Sequence, residues 1–433
     1  MRKFILSITL VACGLCALAV QPARDEVFET IEKAGGVYYA YPVSQSSNTP
    51  APKGYNPFYI SHYGRHGSRY LISDNDYKWV LDLLADACKS DALTPLGADV
   101  YSRLETVWEE AEGRGGDLSP LGVRQHKAIA ARMFDAFPEV FAGNPSISAR
   151  STIVMRCALS MDAFCESLKE KKPSLDITRE ASNRYMCYLN YHSPASCEFN
   201  SERGPWREEF RKFREEHTRP ERLIGTLFCD ADYVRRKVNP AELMWGLYWI
   251  AVDMQNMETR LSFMDIFEPQ ELFDLWQVFN YQFYVADSNY ALADGMNLDN
   301  VKPLLSNIMT SASDIIDSGR NGATLRFGHD GNLIPLTAIL GLDGCYNSVA
   351  DPERFKDVFR TYAISPMAAN VQIVFFRNKA GDVIVKFMLN EREIAVPAID
   401  TDSYPYYRWA DVKNYYQTLL SSGPVKPTIH TPN

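Results

Sequence analysis

Two short stretches of this chain concentrate side chains that can do chemistry. Arg65-His66-Gly67-Ser68-Arg69 sets two guanidiniums around an imidazole, and His329-Asp330 sets a second imidazole beside a carboxylate. A guanidinium is a rigid planar fork of donors, which matches a phosphate dianion better than an ammonium does. An imidazole held beside that phosphate can attack phosphorus through a ring nitrogen. The expelled alkoxide of a sugar or inositol ester is a poor leaving group unless it is protonated as it departs. Asp330 is the candidate general acid, and the same carboxylate can later draw a proton from the water that attacks phosphohistidine. His329 can donate to a phosphate oxygen and brace the charge that moves through the transition state.

Such groups need elements to aim them. Residues 58–63 are aromatic and apolar, as a short buried strand requires, and Gly64 and Gly67 allow a tight backbone path behind it. Residues 324–328 form a second apolar strand running into His329, with a helical pattern at 336–342. Residues 147–156 read as a strand feeding a helix at 157–168, and in an α/β sheet ligands gather at the carboxyl ends of strands. Helices are expected at 27–35, 78–90 and 98–111, and Ser119 with Pro120 reads as an N-cap followed by the first helical position. Residues 44–55 are a polar lead-in to the first core strand. Strands at 371–376 and 383–389 around Asn378-Lys379-Ala380-Gly381-Asp382 form a hairpin. A terminal helix or turn spans 404–420, and 421–433 is a frayed tail.

Arg65-His66-Gly67-Ser68-Arg69 resembles the Arg-His-Gly-x-Arg signature of the histidine phosphatases, in the acid phosphatase and phytase branch, with Tyr70 where that family usually carries proline. Leu118-Ser119-Pro120-Leu121-Gly122 is similar to its Leu-Thr-x-x-Gly element, and Gly328-His329-Asp330-Gly331-Asn332 to its second signature. The family places a third phosphate-binding arginine upstream of a Ser-x-x-Ala-Phe helix. Ser160-Met161-Asp162-Ala163-Phe164 fits that register, which implies Arg156, with Arg150 as the second candidate. The Arg156-Cys157 pair also resembles the multiple inositol polyphosphate phosphatases, which usually carry His-Ala-Glu where this chain has His329-Asp330-Gly331.

The resemblance implies an α/β core, a central sheet flanked by helices, with an inserted mostly helical cap. The core is expected at 39–168 and 301–420 and the cap at 169–300, where strand patterns are few. It implies His66 as nucleophile, Arg65, Arg69 and Arg156 as phosphate clamp, His329 as transition-state donor and Asp330 as general acid. The activity expected is a phosphomonoesterase acting on inositol polyphosphates such as phytate, with a broad acid phosphatase as the alternative within the family. A binding protein that captures phosphorylated sugars without turnover is the alternative outside it, and it would have no use for Asp330. A phosphomutase is disfavoured for an exported chain.

Composition bounds these readings. The chain has 433 residues, 46% of them hydrophobic, enough for a large core, and a formal charge of −9 that argues against a general nucleic-acid partner. Arg2 and Lys3, an apolar run and Ala17-Leu18-Ala19 read as a signal peptide over 1–19, so the mature chain is expected to be periplasmic or secreted, without a membrane span. Leu10-Val11-Ala12-Cys13 resembles a lipoprotein box, but the residues after Cys13 stay apolar, which favours simple cleavage. Seven cysteines remain after that cleavage, and Cys187 with Cys197 is the first pair to test for a disulfide. No His/Cys cluster has metal-ligand spacing, so neither metal nor cofactor is expected. Trp245, Trp249, Trp276, Tyr281 and Tyr284 fall at the helical spacing of an interhelix packing stripe. Arg207, Arg211, Lys212 and Arg214 alternate with glutamates as on a solvated helix face. His192 and His217 are read as structural or exposed.

Overall fold

The computed structural model describes residues 21–42 and 48–422. The signal peptide expected at 1–19, its Cys13 and most of the expected tail lie outside the described residues. Eight strands form one mixed sheet: β1 (Asn56–Arg65), β2 (Ser146–Ser151), β3 (Ile177–Ala181), β4 (Gly322–Gly328), β5 (Asn370–Arg377), β6 (Val383–Leu389), β7 (Arg392–Ile394) and β8 (Tyr407–Arg408). Their order is β3-β2-β4-β1-β5-β6-β7, with β8 on β6. Neighbours from β3 to β1 are parallel and those from β1 onward antiparallel, so β1 is the seam between the two halves.

Alternate residues along these strands enter two apolar clusters. Ile60, Leu325, Phe327, Val374 and Phe376 point to one face, which the helices Pro120–Ala136 and Met155–Lys171 cover. Tyr59, Tyr63, Ile373, Phe375 and Phe387 point to the other, where they join the cluster of the helical segment. Both faces are therefore buried, as a sheet that carries a site at its strand ends requires. Ser119 does cap its helix, accepting from the Gly122 amide, with Pro120 in the first turn.

Among the described residues no strand lies between 182 and 321, so the sequence expectation of a helical insertion holds for that stretch. Its start does not. β3, at Ile177–Ala181, pairs with β2 in the central sheet although it falls within 169–300. Its pattern, one buried residue among exposed ones, is that of an edge strand and carries little hydrophobic signal. Asn75–Lys89 and Pro95–Ala111, expected with the core, pack on the helical segment instead: Gly246 lies against Trp79 and Val80, and the Tyr233 hydroxyl donates to Asp86 at 2.8 Å. The aromatic stripe is packing, with Trp276, Tyr281 and Tyr284 fully buried. Arg211 lies between Glu208 and Glu215 on an exposed helix face. Of His192 and His217, the second is stacked on Phe213. All seven cysteines among the described residues are free thiols, so Cys187 and Cys197 are not joined. No helix among them is long and apolar enough to cross a membrane.

Candidate active site

Parallel pairing sets the site. Arg65 at the end of β1 is in register with Gly328 at the end of β4, and the His66 amide donates to the Gly328 carbonyl at 2.9 Å. His66 and His329 thus leave neighbouring strands side by side, with ring centroids 5.7 Å apart. The backbone beyond β1 is fixed on every side. The Gly67 amide donates to Ser160 Oγ and the Ser68 amide to Gln125 Oε1, while the Ser68 carbonyl accepts from Ser119.

The glycines of this loop serve proximity, where the sequence had pointed to backbone freedom: neither Gly64 nor Gly67 adopts a positive φ. A Cβ on Gly67 would stand 2.6 Å from Gly122 Cα, and one on Gly122 would stand 2.3 Å from the Ser68 carbonyl oxygen. The loop and the Pro120–Ala136 helix touch backbone to backbone, which accounts for the Leu-Ser-Pro-Leu-Gly element of the sequence.

His66 is buried, and its Nδ1 lies 2.9 Å from the Gly67 carbonyl. A carbonyl only accepts, so the proton sits on Nδ1 and Nε2 keeps its lone pair. Burial first, then the charges of Arg65, Arg69 and Arg156, hold its pKa well below the ordinary histidine value. The ring is neutral, as a nitrogen nucleophile must be.

Three arginines converge here. Arg65 is fully buried, and its Nη1 donates to the carbonyls of Val37 (2.5 Å) and Ser365 (2.9 Å). Arg69 donates to the Tyr70 carbonyl and to the Tyr38 hydroxyl at 3.1 Å, and its guanidinium lies over the Tyr38 ring. Arg156 was expected at a strand end but lies in the first turn of Met155–Lys171, because β2 stops at Ser151. Burial and the neighbouring Arg69 lower its pKa, and its Nη1 is 3.5 Å from the Gly116 carbonyl. The Nε atoms of all three arginines are buried without a protein acceptor, a costly state that the oxygens of an anion would relieve. Arg150 is engaged elsewhere: it lies over the Tyr185 ring, 3.6 Å from Glu180.

The β4 end supplies the opposite wall. His329 precedes the helix Asp330–Ile339, and its Nε2 lies 3.3 Å from Thr152 Oγ1 and 3.6 Å from Cys157 Sγ. Burial pushes its pKa down to about 4, against the pull of Asp330. Asp330 binds Arg65 Nη2 through Oδ2 at 2.8 Å and accepts from the Gly331 amide through Oδ1 at 2.9 Å. Burial pushes this carboxyl up, but Arg65, His329 and Arg69 outweigh it, and its pKa lies below the usual value. The helix N-terminus acts in the same direction.

Several neighbours escaped the sequence reading. Tyr38, which cradles Arg69, comes from a 3₁₀ turn far upstream, Ile31–Tyr38. Asn256 accepts from Ser68 Oγ at 2.7 Å and donates to the Tyr38 carbonyl at 2.9 Å. Asp253, pushed up to about 7 by burial, binds the Tyr77 hydroxyl, which accepts from the Leu71 amide. These ties fasten the arginine loop to the helical segment. No local motif announces them, since each is a single polar residue in an otherwise apolar stretch.

The profile of the histidine phosphatase superfamily (branch 2) matches residues 64–390, and the chain belongs to that family. The fold is shared with solved structures at low identity. A Bifidobacterium longum multiple inositol polyphosphate phosphatase, in complex with inositol hexasulfate, superposes with a TM-score of 0.74 at 17% identity, covering 90% of this chain and 98% of that one. The phytase from D. castellii gives 0.61 at 14%, covering 90% and 85%. The apo form of Hafnia alvei phytase gives 0.52 at 12%, covering 85% and 98%. No curated protein matches the chain by sequence.

Proposed function

We propose that the protein is an exported phosphomonoesterase that works through a phosphohistidine on His66 and acts on inositol polyphosphates such as phytate. The observation that carries this reading is the convergence of a neutral imidazole, its Nε2 lone pair free, with three guanidiniums and a carboxylate on adjacent strand ends. Arg65, Arg69 and Arg156 hold the phosphate and neutralise its charge, and Nε2 attacks phosphorus in line. His329 donates to a phosphate oxygen.

Asp330 fits the acid role once substrate is considered. In the free enzyme its carboxylate is ionised on Arg65. A phosphate dianion competes for the same guanidinium and brings two negative charges close by, and both changes raise the carboxyl's pKa until it holds a proton. The leaving oxygen takes that proton, and in the second step Asp330 takes one from water. Inositol polyphosphates are favoured as substrates because the solved relatives named above are phosphatases and phytases of that class. The N-terminal signal motif supports export.

Phosphate release from phytate and from nitrophenyl phosphate by the purified chain, without added metal, tests the reading, together with acid-quench trapping of a phosphoenzyme. Asp330→Asn is expected to slow phytate hydrolysis by about 10²- to 10⁴-fold, and the aryl ester, whose leaving group needs no proton, far less. Binding of phytate without release from either compound would replace the enzyme by a binding protein.

A further inference from the structure

Asp287 is the last residue of the long helix Pro269–Asp287, and the chemistry above makes no use of it. Its Oδ1 lies 3.6 Å from the position a Cβ on Gly331 would take. Glycine at 331 therefore leaves this carboxyl uncovered beside the residue that follows Asp330. The side chain is partly buried, and no hydrogen bond or ion pair holds it among the described residues.

Its electrostatic surroundings are one-sided. Burial, with the charge of Asp330 adding to it, pushes the Asp287 carboxyl up to about 7. The negative end of its own helix acts the same way. The helix Met296–Asp299, packed on both Pro269–Asp287 and Asp330–Ile339, ends in an aspartate that Lys302 holds at 2.8 Å. Asp330 is then the charged group that bears on Asp287, and Arg65 holds Asp330 from its other side. In the free enzyme the pair keeps one proton into the neutral range, and it resides on Asp287.

We propose that Asp287 is the proton reserve of the active site, a positioning carboxyl that acts through Asp330. The inference rests on the phosphomonoesterase reading. When the ester's phosphate takes over Arg65, Asp330 gains the proton that Asp287 gives up, carried between them by solvent, since no hydrogen bond joins the two carboxyls. It passes that proton to the bridging oxygen as the P–O bond breaks and the bond from His66 Nε2 to phosphorus forms, and the alcohol leaves neutral. Water then attacks phosphorus, its proton returns to the carboxyl pair, and the electrons of the P–N bond return to Nε2.

The test is kcat against pH for the full chain and Asp287→Asn, with phytate and nitrophenyl phosphate. The variant should lose at least about tenfold on phytate near pH 6.5 and only about threefold or less near pH 4, moving the basic limb to lower pH. Its loss on the aryl ester should be smaller at each pH. A profile of unchanged shape, or an equal loss on both esters at all pH values, overturns the proposal. Thermal midpoints give a readout independent of turnover. A carboxyl whose pKa is raised by folding costs stability as pH rises from the unfolded value to the folded one, so Asp287→Asn should gain on the wild type between about pH 4 and pH 8. The absence of that gain also overturns the proposal. If the wild type releases phosphate from neither ester, the enzymatic reading falls, and the midpoints alone still show whether Asp287 carries the proton.

Discussion

Two pairs of histidines flank the end of β1, and they differ in a way that burial alone does not reveal. His66 and His329 face the cleft, while His62 and His126 lie beneath the strand among Phe164 and Phe327. All four are stripped of charge by burial: His62 and His126 fall to about 3 and His329 to about 4. The cleft pair have ring nitrogens within reach of polar partners and stand among three guanidiniums. His126 and His62 meet only backbone, at Arg65 and Arg326, and otherwise stand among aromatic rings. A depressed pKa therefore marks burial, and the guanidiniums around the cleft pair are what set it apart. The sharpest way to break this comparison is to remove one ring from each pair. His66→Ala should lower phosphate release by on the order of 10⁴-fold or more, since it deletes the proposed nucleophile. His126→Leu should keep kcat within about twofold, because the ring stands on the far side of the strand among Phe164 and Phe327 and the change roughly conserves volume. Similar losses from both would mean that the rings beneath β1 are part of the chemistry.

The same contrast explains what the sequence disclosed. Residues of the proposed site that stand in a contiguous motif were legible: Arg65, His66, Arg69, His329 and Asp330 all stand where the apolar strands run out, and pairing of β1 with β4 brings the two motifs together. The hairpin at 371–389 and the cap at Ser119 were legible because turn and capping residues have local physical signatures. Tyr38, Asn256, Asp253 and Asp287 were not, because each reaches the site through tertiary packing. β3 was missed because an edge strand with one buried side chain has almost no period to read. The glycines were found for the wrong reason: Gly67 is required by the approach of Gly122, a contact between elements that no single stretch encodes.

Arg150 and Arg156 sharpen the comparison at a smaller scale, since both flank the end of β2 and only Arg156 stands close enough to Arg69 for that charge to bear on it, while Arg150 lies against Tyr185 and Glu180. Arg156→Ala should raise KM for phytate by about 10- to 100-fold, the worth of one or two charge-assisted hydrogen bonds. Arg150→Ala, which loses a partly exposed pairing with Glu180, should leave KM within about twofold. Steady-state kinetics on the two variants decide between them. If Arg150→Ala has the larger effect, the clamp has been drawn with the wrong third arginine.

The histidines beneath β1 make a prediction of their own, in stability. An unfolded chain protonates His126 near its ordinary value, about 6.5, while the folded chain refuses that proton down to about 3. The stability this ring permits is complete above about pH 6.5 and is lost as pH falls, since the unfolded state binds the extra proton. Asp253 and Asp287, pushed up to about 7, work in the opposite direction and gain stability as pH falls. The net slope of the wild type thus mixes both signs, and the difference between variants is the informative quantity. Thermal or urea unfolding of His126→Leu should differ little from the wild type near pH 7 and exceed it by about 1–3 kcal/mol near pH 4.5. A gap independent of pH would mean that His126 takes up its proton in the folded state as readily as in the unfolded one, and burial would then be the wrong account of its neutrality and of His66's as well.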